Sequence, residues 1–350
     1  MTALGDLLAG HIRDRGPVAV SDFMAQCLGH PDWGYYRTRD PLGGSGDFTT
    51  SPEISQMFGE LIGLWAGVVW QSMGSPDRVL LVELGPGRGT LMADALRAAA
   101  MLPAFRRALC VHLIEINPAL KARQRETLKD ERILWLEDLN DLPPGPAIVI
   151  ANEFFDALPI EQFIRTADGW RRRMVTLDDD GRFAFAPGPL ADIDAPPAGP
   201  GDIFEIGNAA RAVASGLGRR LSDQGGAALV IDYGHAESAI GDTLQAVRHH
   251  RYAEIFDAPG ETDLTAHVDF AALARAAAPA IATPTVTQGT FLRSLGIELR
   301  ADRLIKSAPQ KADMIATACR RLIEPAGMGT LFKVRALTHP GLPIPPGFIL

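Results

Sequence analysis

The sequence predicts an α/β fold built on a doubly wound, mostly parallel sheet. Three observations predict it. Short, continuous apolar runs recur between residues 79 and 231, each separated from the next by a helix-patterned segment. Runs that are apolar at consecutive positions are buried on both faces, as in parallel sheets covered by helices. A glycine-rich turn, Glu83-Leu-Gly-Pro-Gly-Arg-Gly-Thr90, joins the first run to the helix after it. Acidic side chains then stand at the ends of later strands, where open α/β sheets receive their ligands.

Taken in order, residues 3–28 carry Leu4, Leu7, Leu8 and Ile12 at helical spacing, with Ser21-Asp22 opening a second helix. Residues 40–52 are rich in glycine. Pro52 is expected to open the next helix, through Met57, Leu61, Leu64 and Val68, with Ser51 as N-cap and Glu53 in the first turn. Strands are expected at 79–83, 111–115, 133–135, 147–151 and 227–231, and a last one at 329–334. Helices are expected at 90–100, 118–129, 209–223 and 270–278.

Between the fourth and fifth strands the rhythm changes. Strand-like runs at 162–166, 170–177 and 183–185 are separated by the Asp-Gly pairs at 168–169 and 180–181, the signature of a hairpin or meander. Residues 187–201, rich in Pro, Gly and Ala, read as an exposed linker. The expected division is an N-terminal helical region with a glycine-rich loop (1–75), the first half of the sheet domain (76–160), a β-hairpin insertion (161–200) and the rest of the sheet domain (201–350).

Composition narrows the function. A net charge of −8 disfavours a nucleic-acid partner, since phosphate backbones need a basic face. Cys27, Cys110 and Cys319 are scattered and odd in number, which argues against a disulfide framework or a zinc site and for a reducing compartment. The N-terminus lacks secretory and transit patterns, and the most apolar stretch, 61–70, is half a membrane span. No metal is expected. The expected location is the cytoplasm of a bacterium, or the mitochondrial matrix for a mature eukaryotic form.

The glycine spacing discriminates among nucleotide sites. A dinucleotide fingerprint is G-x-G-x-x-G; here the third glycine, Gly89, comes one position early and Thr90 stands where that pattern wants glycine. That argues against an NAD-type oxidoreductase. No G-K-[ST] follows, so the turn is not a P-loop. The E-x-G-x-G-x-G form resembles motif I of class I S-adenosylmethionine (SAM) methyltransferases, in which the turn contacts the amino-acid part of SAM. Glu115, ending the second strand, can accept both ribose hydroxyls. Asp138, after the third, stands where that family often places an acid or amide near the adenine amine. The candidate cofactor residues are Glu83, Gly85, Gly87, Gly89, Glu115, Asp138 and Asn152.

The candidate reaction centre follows the fourth strand, in Asn152-Glu-Phe-Phe-Asp-Ala-Leu-Pro159. Charges beside a buried strand are costly unless used or paired, so Glu153 and Asp156 are candidates for handling the methyl acceptor. Asp156 as a helix cap is the structural alternative. His267, with Asp263 and Asp269 close in sequence, is the third candidate, set against a loop-tying role. His235 is a candidate for the same cleft. His249-His250-Arg251 reads as a solvated turn and Arg171-Arg172-Arg173 as an exposed strand.

The chain resembles the MidA-like methyltransferases over almost its whole length. The resemblance is carried by residues 46–55, 83–90 and 152–159, by Ile231-Asp-Tyr-Gly-His235, and by Asp263-Leu-Thr-Ala-His267-Val-Asp269-Phe270. It implies a class I seven-stranded sheet, SAM as cofactor and a protein arginine substrate. Mitochondrial members symmetrically dimethylate a core subunit of respiratory complex I, so a bacterial member is expected to act on its own NADH dehydrogenase. The resemblance also implies that loop 43–51 closes over the cofactor, and that Glu153 and Asp156 stand for the glutamate pair of known arginine methyltransferases. The second acid is Asp here and the spacing is short. Alternatives are a SAM-binding assembly factor with little catalysis and a small-molecule methyltransferase. The Trp170 hairpin is a candidate arm for a homodimer or for substrate.

Overall fold

The computed structural model describes residues 2–38, 50–129, 132–248 and 251–348. Helices α1 (Ala3–Arg15) and α2 (Val20–Gly29) open the chain. Pro52 starts only a single turn, Ser51–Ile54, and Ser55 breaks it in extended conformation. Ser55 then caps the long helix α3 (Gln56–Ser72), its hydroxyl accepting from the Met57 N–H at 3.2 Å. The N-cap is therefore Ser55 rather than Ser51, and the helix starts a turn later than its spacing suggested. Loop 43–51 lies outside the described residues through position 49, as do His249 and His250.

The sheet domain alternates as expected: β1 (Val79–Leu84), α4 (Thr90–Ala99), β2 (Leu109–Ile114), α5 (Pro118–Leu128), β3 (Leu134–Leu136) and β4 (Ala147–Asn152). The insertion supplies β5 (Glu161–Thr166), β6 (Gly169–Leu177), β7 (Phe183–Ala191) and β8 (Ile203–Ile206). Then come α6 (Asn208–Gln224), β9 (Gly226–His235), β10 (Gln245–Arg248), β11 (Arg251–Ala253), β12 (Asp263–Thr265) and α7 (Phe270–Ala276). Helices α8 (Gln288–Ser294), α9 (Ile297–Ser307) and α10 (Ala312–Ile323) precede β13 (Phe332–Thr338).

The main sheet has nine strands: seven run along its path, β13-β9-β4-β1-β2-β3 with the short strand Ile281–Ala282 beyond β13, and two further short strands lie off it, Val268–Asp269 pairing with β9 and Val286–Thr287 with β13. Strands β3, β2, β1, β4 and β9 are parallel; β13 is antiparallel to β9. Burial on both faces explains the unbroken apolar runs. Val79 and Leu81 of β1 pack into one core with α3, α4, α8 and α10, while Leu80, Val82 and Leu84 pack into another with α6 and α7. The last strand lies at 332–338, later than its expected place, because the Gly329-Thr330 end of that run stays in a turn.

The insertion differs more. β7 continues through Pro187-Gly-Pro189 to Ala191, so part of the expected linker is strand. β5 pairs with β8, which lies past residue 200, and Val18–Ala19 pairs with β6. The N-terminal helices thus share one core with the insertion: Leu4, Leu8, Phe23 and Met24 pack with Val175, Ala246 and Leu264. The Arg171–Arg173 run is an internally paired strand face, its members bridging to Asp168, Glu161 and Asp242 respectively. Among the described residues no helix is long and apolar enough to cross a membrane, and no cluster has the makings of a metal site.

Candidate functional site

β1 lies between β2 and β4, although the chain visits β2 and β3 first and β4 only later. Strand order reverses here, and at such a point the helices leave a crevice over the carboxyl ends of the strands. A cavity of about 760 Å³ fills it, lined by the residues after β1, β2, β3, β4 and β9 together with α2, β12 and the segment after α10.

One half of the cavity is built on the glycine turn. Gly85, Gly87 and Gly89 have φ of +59°, +54° and +79°, left-handed values that cost an L side chain roughly 1–2 kcal/mol each. At Gly85 a Cβ would also stand 3.1 Å from Phe154 Cδ2. Gln124, on the inner face of α5, fixes the turn to its neighbours. Its amide donates to the Gly87 carbonyl at 2.7 Å and to Glu115 Oε2 at 3.0 Å, and its oxygen accepts from Trp135 Nε1 at 2.8 Å. Glu115 Oε1 accepts from the Asn117 N–H at 2.8 Å. Glu83 is 3 % exposed, and its Oε2 has no protein partner. Burial, then the Glu115 charge, pushes its pKa up to about 8. Asp138 is exposed on the wall and caps its own turn, accepting from the Asn140 N–H and side-chain amide, both at 2.8 Å.

The other half gathers acids from distant segments. Glu153 has φ +52°, in the left-handed region that a side chain with a Cβ seldom adopts. Its N–H donates to the Ile231 carbonyl at 2.9 Å; its Oε1 accepts from the Ser51 N–H at 2.9 Å and the Asn152 amide at 3.1 Å. Asn152 Oδ1 is buried without a protein partner. Asp232, at the end of β9 and fully buried, holds the loop: its Oδ2 accepts from the Phe155 and Asp156 N–H groups at 3.0 and 3.2 Å, and its Oδ1 from Tyr233 N–H at 2.9 Å. The segment after Asp156 is turn rather than helix, so Asp156 is not a helix cap. The Tyr233 hydroxyl lies within hydrogen-bonding reach of Asp156 and Thr265. Burial pushes Glu153 up to about 7 and Asp156 up to about 6. Asp232 is raised further, by burial and then by Asp156 and Glu153.

His267 lines the same cavity, its ring edge-on to Tyr233 with centroids 5.5 Å apart. Burial, then the charges of His235 and Lys333, lowers its pKa, so the imidazole is neutral at pH 7. Its backbone N–H donates to Thr243 Oγ1 at 2.9 Å. Asp269 is not its partner: it caps α7, accepting from Ala272 N–H at 2.8 Å and from the Ser238 hydroxyl at 2.6 Å. His235 lies outside this cavity, behind His267 in a small one.

All ten candidate residues except Gly89 line the cavity. Sequence reasoning missed Gln124, Asp232, Tyr233 and Tyr36. A lone glutamine on the inward face of α5 was the available signal for the first. An acid at the carboxyl end of the fifth strand was the signal for the second.

Comparisons with known proteins agree with this geometry. Residues 61–286 match the family described as "Putative S-adenosyl-L-methionine-dependent methyltransferase". Human mitochondrial protein arginine methyltransferase NDUFAF7 is 37 % identical over 358 residues, covering 93 % of this chain and 81 % of that protein. The Drosophila melanogaster homologue is 34 % identical, covering 97 % and 85 %. A crystal structure from Burkholderia thailandensis bound to S-adenosyl-homocysteine has a TM-score of 0.86 and 30 % identity, covering 99 % of this chain and 94 % of that one. The glycine turn, the switch-point cavity and these matches together place the chain in this family of SAM-dependent methyltransferases.

Proposed function

We propose that the chain methylates an arginine on a protein, and that the acceptor is a core subunit of NADH dehydrogenase during its assembly. The observation that supports an arginine acceptor is the pair of carboxylates, half-buried Glu153 and buried Asp156, facing the cavity beside the glycine turn. The mitochondrial relatives named protein arginine methyltransferase support the same acceptor class.

The donor half fits SAM. The left-handed glycines keep side chains out of the turn, and the buried oxygens of Glu83 and Asn152 that lack protein partners are available to a polar, cationic ligand. Gly85 and Gly87 would lie against the amino-acid part, Glu83 would face its ammonium, Glu115 the ribose hydroxyls and Asp138 the adenine edge. SAM supplies a methyl group activated by a sulfonium.

The chain's residues do the rest. An arginine is protonated at neutral pH, so two cations must approach each other. Ionised Glu153 and Asp156 offset that repulsion; a unit charge pair at 4 Å is worth roughly 4 kcal/mol at an effective dielectric of 20. A planar guanidinium pairs with carboxylates through parallel N–H donors, which aims one nitrogen. That nitrogen gives up a proton as it takes the methyl group. Glu153, raised to about 7, can receive it, as can the neutral His267.

The test is mass spectrometry of NADH dehydrogenase core subunits from cells with and without the gene. Loss of a methylarginine, restored by the wild type, is expected. An unchanged methylation pattern would sink the acceptor assignment.

A further inference from the structure

The N-terminal helices and the β10-β11-β12 sheet belong to a different core from the main sheet, yet they close one wall of the acceptor half. Two polar residues on that wall are not accounted for by the Glu153–Asp156 pair. Asp263 begins β12 and is 1 % exposed. Tyr36, on the Tyr35–Thr38 turn after α2, stands beside it with its hydroxyl in hydrogen-bonding reach of the Asp263 carboxylate. Both line the cavity, as do Thr265 on the same strand and Asp156 and Tyr233 from the main sheet.

The order of these groups is informative. Tyr233 lies near Asp232 and Asp156, and Tyr36 lies near Asp156 and Asp263. Carboxylates and phenols therefore alternate from the main sheet across to the N-terminal wall. Burial, and then the negative charges of Asp263 and Asp156, drives the Tyr36 hydroxyl well above its ordinary range, so it remains a donor. Phenol donors between buried acids relieve their mutual repulsion. A row of carboxylates of this kind suits a ligand with several N–H donors. A guanidinium carries five such donors in a plane; an ammonium has three on a point.

Building on the arginine-acceptor reading, we infer that Asp263, steadied by Tyr36, is a specificity-determining residue that takes guanidinium N–H groups on the side opposite Glu153 and Asp156. The acceptor site is then shared between two cores. The main sheet supplies the acids nearest the cofactor, and the N-terminal wall supplies the one that separates arginine from lysine.

The experiment uses the full chain, labelled SAM and the recombinant NADH dehydrogenase core subunits as acceptors. Steady-state kinetics are measured for wild type, Asp263→Asn and Tyr36→Phe, with S-adenosylhomocysteine affinity and melting temperature alongside. For Asp263→Asn the acceptor KM is expected to rise about tenfold or more, the loss of one charge-assisted pair, with S-adenosylhomocysteine affinity within threefold of wild type. Tyr36→Phe should raise the acceptor KM about threefold, with kcat nearly unchanged. A well-folded Asp263→Asn with an unchanged acceptor KM overturns the inference and leaves the arginine reading standing. Should Asp263→Asn fail to fold, a wild-type acceptor KM in Tyr36→Phe overturns it equally. Wild-type protein that transfers no methyl group to any arginine overturns both.

Discussion

The two halves of the cavity are built in opposite ways. On the proposed assignment, the cofactor half comes from neighbouring strand ends, with the Gly85–Gly89 turn, Glu115 and Gln124 tied by hydrogen bonds that span at most 37 positions. The acceptor half is drawn from the whole chain. Ser51 reaches Glu153 across 102 positions, and Asp232 reaches Phe155 across 77. The first half is mostly backbone and preset polarity. The second is buried carboxylate, held in its charged form only at a cost. The difference teaches that donor binding and acceptor binding should fail separately.

The largest separation is expected at Asp232. Asp232→Ala strips the acceptor from the buried Phe155 and Asp156 N–H groups, each costing about 1–3 kcal/mol if left unsatisfied, and from the half-buried Tyr233 N–H. Acceptor kcat/KM should fall about a hundredfold or more while S-adenosylhomocysteine affinity stays within threefold. Parallel loss of both by calorimetry and kinetics would break the comparison. Gln124→Ala should do the reverse. It frees the Gly87 carbonyl, Glu115 and Trp135, so cofactor affinity should drop about tenfold with acceptor KM unmoved.

Titration sharpens the contrast further. Both acceptor acids are raised by burial, Glu153 to about 7 and Asp156 to about 6. A cationic acceptor needs them ionised, so acceptor kcat/KM should climb with pH and level off above about 7. Glu153→Gln should shift or flatten that limb. Glu83, raised to about 8, predicts a separate effect. Calorimetry at pH 7 in buffers of different ionisation heat should show proton release as SAM binds, absent in Glu83→Gln. For stability the sign runs the other way from activity. Folded-state values above the unfolded ones near 4.3 and 3.9 mean that stability is fullest below those values and falls as pH rises through 6 to 8. The smallest effect belongs to neither half: Ser55→Ala removes the α3 cap, costs about 1 kcal/mol and lowers the melting temperature by a few degrees, with both affinities intact.

The same contrast explains what the sequence revealed. The alternation of strands and helices, the glycine turn and the strand-end acids were legible because each is a local pattern: a run, a spacing, a residue after a strand. Helix α3 was misplaced at its start because Ser51-Pro52 looks like a cap, whereas the chain turns extended at Ser55, which caps the helix instead. The shared core of α1, α2 and the insertion was not legible, since Val18–Ala19 meets β6 across a long stretch of chain. Nor were Tyr36, Asp232 and Asp263 as site residues. Their meaning lies in which distant side chains they face, and no periodicity encodes that.

The measurement that bears most directly on the account is a paired one on Glu153→Gln/Asp156→Asn. Calorimetry would follow S-adenosylhomocysteine binding, and mass spectrometry would follow methylarginine on the NADH dehydrogenase core subunits. The account predicts binding within threefold of wild type and no methylarginine. Retained methylarginine, or binding lost together with it, would contradict the assignment of these acids to the acceptor.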